Sequence, residues 1–75
     1  MIKLYGKSIG CGNCTNAKDR LDKYGIDYEF IDVTKDSEAL SLIKSLGYRQ
    51  VPVFENEGDW YTYKQLEDLI ISLGY

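Results

Sequence analysis

The stretch "SIGCGNC" (residues 8–14) carries the chain's only two cysteines, three positions apart, in a sequence without histidine. Two different hydrophobic patterns meet there. Before it, "IKLY" (Ile2–Tyr5) is short, partly alternating and followed by a Gly-containing loop, which predicts a first strand. After it, Cys14, Ala17, Leu21 and Tyr24 recur at spacings of three, four and three, one stripe of an amphipathic helix that stops at Gly25. Cys11 therefore precedes this helix and Cys14 lies inside it. Next, "DYEFIDV" (Asp27–Val33) is rich in aromatic and β-branched residues, a second strand joined to the first by a helical crossover and so parallel to it.

The pattern continues to the end of the chain. "KDSEALSLIKSLG" (residues 35–47) places Ala39, Leu42, Ile43 and Leu46 on one helix face, with Asp36 or Ser37 as N-cap and Gly47 after the last turn. "VPVFE" (Val51–Glu55) and "WYTY" (Trp60–Tyr63) flank the polar connection "NEGD" and predict an antiparallel strand pair. Thr62 and Gln65 have capping-box spacing ahead of Leu66, Leu69, Ile70 and Leu73, a third helix followed by Gly74. The predicted order is βαβαββα: one α/β domain over residues 1–75, a four-stranded mixed sheet packed with three helices.

Composition narrows the function. Seventy-five residues with 44% hydrophobic and 28% charged side chains suit one small globular core. Nine basic against twelve acidic residues, net -3, argue against a nucleic-acid partner, which needs clustered Lys and Arg. There is no apolar run of membrane-spanning length, and "MIKLYGK" lacks the apolar stretch of a signal peptide, so the expectation is a soluble protein of the cytoplasm, acting as a monomer. Two cysteines in that reducing compartment more often do chemistry than hold a fold together.

Three readings of the pair compete. A zinc site needs four ligands and would have to be shared between two chains. A structural disulfide over so short a loop contributes little in the chain-entropy model. A redox pair fits position as well as spacing, because Cys11 stands where the unpaired N–H groups and positive end of the helix dipole stabilise a thiolate. Cys11 is then the attacking residue, and the less exposed Cys14, one turn further in, resolves the mixed disulfide. Gly10 and Gly12 give the backbone freedom and let another chain approach the sulfur, Asn13 lies between the cysteines, and Lys7 is placed to add positive potential.

A Cys-x-x-Cys at a helix start after the first strand, in this element order, resembles the minimal thioredoxin fold of the glutaredoxin superfamily over nearly the whole chain. "QVPVF" adds to the likeness: Pro52 stands where that family has a cis proline facing the cysteines, with the Val51 backbone offered to an extended substrate. Within the superfamily, Tyr48, Arg49, Gln50, Val51 and Pro52, followed by Trp60, Tyr63 and Lys64, resemble NrdH-type redoxins, and the longer loop before Cys11 resembles small viral glutaredoxins. Glutathione-using members usually carry Thr-Val-Pro and Gly-Gly-x-Asp; here Gln50 replaces the Thr, Tyr61 and Thr62 the glycines, and Lys64 the acid. The resemblance implies a small dithiol–disulfide oxidoreductase without a bound cofactor. Its electrons would come from thioredoxin reductase or from glutathione, and go to a protein disulfide such as that of ribonucleotide reductase. The alternatives are a glutathione-dependent glutaredoxin, a non-enzymatic adaptor, or a module that binds an iron–sulfur cluster between two copies.

Overall fold

In the computed structural model, which describes all 75 residues, the elements follow the predicted order. Strand β1 (Ile2–Gly6) leads into α1 (Gly12–Lys23), β2 (Tyr28–Asp32), α2 (Ser37–Ser45), the hairpin β3 (Val53–Asn56) and β4 (Asp59–Thr62), and α3 (Leu66–Ser72). A single 3₁₀ turn, Tyr63–Gln65, joins β4 to α3. The sheet order is β2-β1-β3-β4. Ile2 pairs with Tyr28 and Gly6 with Asp32 in the parallel β1–β2 ladder, while β3 runs antiparallel to both β1 and β4.

Alternation along the central strands divides the core between the two faces of the sheet. On one face Ile2, Leu4 and Phe54 meet Ala17 and Leu21 of α1 and Leu66, Leu69 and Ile70 of α3. On the other, Tyr5 and Val53 meet Val33 and the α2 residues Ala39 and Ile43. The sheet is thus covered on both sides, by α1 and α3 on one and by α2 on the other. No helix is long and apolar enough to cross a membrane.

Local chemistry sets the boundaries. Asp36 caps α2 by accepting the Ala39 N–H at 3.0 Å. Thr62 donates its N–H to Gln65 Oε1 at 2.9 Å, one half of the predicted capping box. Glu57 and Gly58, both at positive φ (52° and 89°), form the two-residue hairpin loop whose twist matches that of the flanking strands.

Three expectations need correction. Val51 and Pro52 lie outside β3, which begins at Val53: proline has no N–H for the ladder. Leu42 and Leu46 are 42% and 46% exposed, because α2 packs on this core through Ala39, Ile43 and the partly buried Leu40. Tyr24 is the C-cap of α1 and 38% exposed, its ring set against Tyr75 instead of the core.

Candidate functional site

Cys11 is the N-cap of α1, with the extended backbone (φ −132°, ψ 93°) that such a position requires. Its Sγ accepts the N–H of Cys14 at 3.1 Å, so a cysteine side chain satisfies one of the helix's free donors. Gly10, at φ 73°, turns the chain into that cap through a region that side-chain-bearing residues rarely enter. One turn into the helix, Cys14 is 1% exposed, while Cys11 is only half-buried. The two are joined as a disulfide, with Cα atoms 5.2 Å apart.

Two supports hold this geometry that the sequence alone did not reveal. Gly6, the last residue of β1, lies directly behind Cys14: a Cβ there would be 2.9 Å from Cys14 Sγ and 3.2 Å from Phe30 Cε1. At the end of the neighbouring strand, Asp32 clamps the loop that leads to Cys11. One carboxylate oxygen accepts from Ser8 Oγ at 2.6 Å and from the Ser8 N–H at 3.3 Å. The other accepts from Thr34 Oγ1 at 2.6 Å and from the Thr34 N–H at 2.9 Å. These bonds, the Ser8 hydroxyl's foremost, hold the Asp32 carboxyl well below the ordinary carboxylate range.

The third side of the site is the segment before β3. The Val51–Pro52 bond is cis, as the resemblance implied, and Pro52 is buried. The Val51 carbonyl oxygen lies 4.0 Å from Cys11 Sγ. Tyr48 and Trp60, which belong to the two separate segments of the resemblance, are in ring contact at 6.1 Å, and Trp60 also packs on Tyr5 at 5.4 Å.

A groove of about 1010 Å³ opens beside Cys11. Lys7, Gly10, Cys11, Gly12, Asn13, Arg49, Gln50 and Val51 all line it, so eight of the ten candidate residues share one concavity. The other two, Cys14 and Pro52, are buried. Lys64 lies outside the groove, exposed in the 3₁₀ turn. What the sequence reading missed is the far wall, supplied by Leu40, Ile43 and Lys44 of α2. Their spacing of three and one is a helical face in its own right, overshadowed in the sequence by the Ala39–Ile43 stripe.

Comparison with known proteins agrees with this arrangement. The family model described as Glutaredoxin matches residues 2–59. The Gene 56 protein of Mycobacterium phage L5 is 38% identical over 66 residues, covering 81% of this chain and 64% of that protein, so the chain corresponds to less than two thirds of the phage protein's length. Among solved structures, the glutaredoxin-like NrdH-redoxin from Escherichia coli superposes with a TM-score of 0.80 at 25% identity, covering 91% of this chain and 92% of that one. A glutaredoxin from Archaeoglobus fulgidus superposes with a TM-score of 0.68 at 27% identity, covering 92% and 84%. With a matching model over most of its length, the thioredoxin fold and a helix-capping Cys-x-x-Cys pair, the chain belongs to the glutaredoxin family of redox proteins.

Proposed function

We propose that the protein is a dithiol–disulfide oxidoreductase that reduces protein disulfides, with Cys11 as the attacking and Cys14 as the resolving cysteine. The observation that carries this reading is the asymmetry of the pair. Cys11 Sγ caps a helix and borders an open groove, while Cys14 is sealed beneath it. In the reduced protein the Cys14 N–H and the helix dipole stabilise a thiolate on Cys11. That thiolate attacks one substrate sulfur, forming a mixed disulfide and releasing the other substrate sulfur as a thiolate that takes up a proton. Cys14, losing its proton, then attacks Cys11 Sγ and frees the second substrate thiol. Two electrons pass to the substrate, and the product is the Cys11–Cys14 disulfide seen here.

For the partners, the NrdH-like residues Tyr48–Pro52, Trp60, Tyr63 and Lys64 support a thioredoxin reductase as electron donor and ribonucleotide reductase as acceptor. The thioredoxin-like activity profile ascribed to the Escherichia coli NrdH-redoxin supports the same donor. Trapping tests the chemistry. After exposure to a disulfide substrate, Cys14→Ser should accumulate a mixed disulfide on Cys11 by mass spectrometry, and Cys11→Ser should accumulate none. Adducts on the Cys11→Ser protein would reverse the roles. In an NADPH-coupled assay, thioredoxin reductase should reduce the native oxidised protein faster than millimolar glutathione does; the opposite order would make it a glutathione-dependent glutaredoxin.

A further inference from the structure

The charge of the groove is opposite to the charge of the molecule. The chain carries twelve acidic and nine basic residues, yet the groove beside Cys11 is lined by Lys7, Lys44 and Arg49 and by no Asp or Glu. None of the three cations is ion-paired within the chain, whose one salt bridge joins Arg20 to Glu67 elsewhere. The rest of the lining is mixed and uncharged, with Val33, Leu40 and Tyr48 beside Asn13, Thr34 and Gln50. At about 1010 Å³ the groove is at the upper end of the range of small-molecule sites, with room for an extended peptide.

We infer that the groove selects its substrate by charge: its occupant is an extended peptide segment in which acidic side chains flank the disulfide to be reduced. The inference rests on the proposed dithiol reduction and specifies its substrate class. Cys11 attacks one sulfur of the segment's disulfide while flanking carboxylates meet Lys7, Arg49 and, further along α2, Lys44. The step is the two-electron exchange described above, in which the reduced protein supplies both electrons. Cations on an open rim act through encounter and orientation more than through bond strength, so the preference is kinetic and falls with salt.

The test uses reduced native protein and two synthetic peptides closed by the same intramolecular disulfide, Glu-Glu-Cys-Gly-Ser-Cys-Glu-Glu and Lys-Lys-Cys-Gly-Ser-Cys-Lys-Lys. Each rate is divided by that with dithiothreitol, which removes the effect of flanking charge on the peptide's own thiols. Exposed ion pairs of this kind predict a glutamate-over-lysine preference in kcat/KM of about three- to tenfold at low salt. It should shrink towards unity at about 0.5 M salt. In Lys44→Glu, and separately in Lys7→Glu, it should fall or invert. Equal rates for the two peptides, or a preference untouched by both substitutions, would overturn the inference while leaving the dithiol mechanism standing. So would glutathione disulfide outcompeting the acidic peptide, since a tripeptide would then be the occupant. Failure to reduce either peptide and hydroxyethyl disulfide as well would overturn the proposed function, and this inference with it.

Discussion

A single methyl group at position 6 would strike the sulfur of Cys14. The ideal Cβ lies 2.9 Å from Cys14 Sγ, 3.2 Å from Phe30 Cε1 and 3.3 Å from Leu4 Cδ2, and all three neighbours are constrained by packing or by the sheet. Gly6→Ala should therefore destabilise the protein by about 1–3 kcal/mol, the usual cost of overpacking a tight core. Denaturant unfolding of the oxidised form measures this, and an unchanged midpoint would mean that nothing presses on Cys14 from behind. Cys11 is the contrasting case at this scale. Its place ahead of a helical stripe is visible in the sequence, because helix starts obey local rules. Gly6 shows no local signal, because its constraint comes from Cys14 and Phe30, distant in sequence and adjacent only after folding.

At the scale of elements, the loop before Cys11 is tied to β2 by Asp32, and this clamp has a pH dependence of known sign. Hydrogen bonds from Ser8 and Thr34 lower the folded-state pKa of Asp32 below its unfolded value. A group depressed in this way contributes fully above the ordinary carboxylate pKa of about 3.9 and loses its contribution as pH falls through the folded value. The hydrogen-exchange protection factor of the Ser8 amide should therefore stay level from neutral pH down to about 4 and fall only in stronger acid. Asp32→Asn should lower it at neutral pH by at least about threefold, since one side of the amide offers N–H groups where oxygen is needed. Protection at Ser8 unaffected by this substitution would remove the clamp. Much else at this scale was legible in advance. The βαβαββα order, a helix cap at Asp36 or Ser37 and a hairpin connection within residues 56–59 depend on residues close in sequence; the structure settles the cap on Asp36 and shortens the loop to Glu57-Gly58. Leu42 and Leu46 misled because amphipathic spacing identifies a helix but not how much of its apolar face a small sheet can cover. The α2 wall of the groove was hidden because Leu40 and Lys44 come to line the same groove as Cys11, about 30 positions away in the chain, only after folding.

For the molecule as a whole, burial and not surface charge holds the site in place. Phe54 is fully buried at the centre of the sheet, opposite Leu4 in one ladder and Tyr61 in the other. Phe54→Ala should cost about 3–5 kcal/mol, a large share of the roughly 5–15 kcal/mol available to a domain, and should lower Tm by more than about 12 °C. Arg20→Ala breaks the only ion pair, between α1 and α3, but its partners are 29% and 59% exposed, and it should cost no more than about 1 kcal/mol. Thermal unfolding of the two variants side by side gives the comparison, and equal losses would contradict it. The frame that these contacts maintain sets one sulfur at a helix cap beside a groove and hides the other. The pH dependence of alkylation exposes that difference directly. Reduced protein is treated with iodoacetamide across pH 4–10, and the labelled cysteine is located by mass spectrometry. Cys11 should react first and alone, with an apparent pKa below about 7.5, while Cys14 stays unlabelled until the protein unfolds. Labelling of Cys14 first, or of both at the ordinary thiol pKa near 8.5, would contradict it.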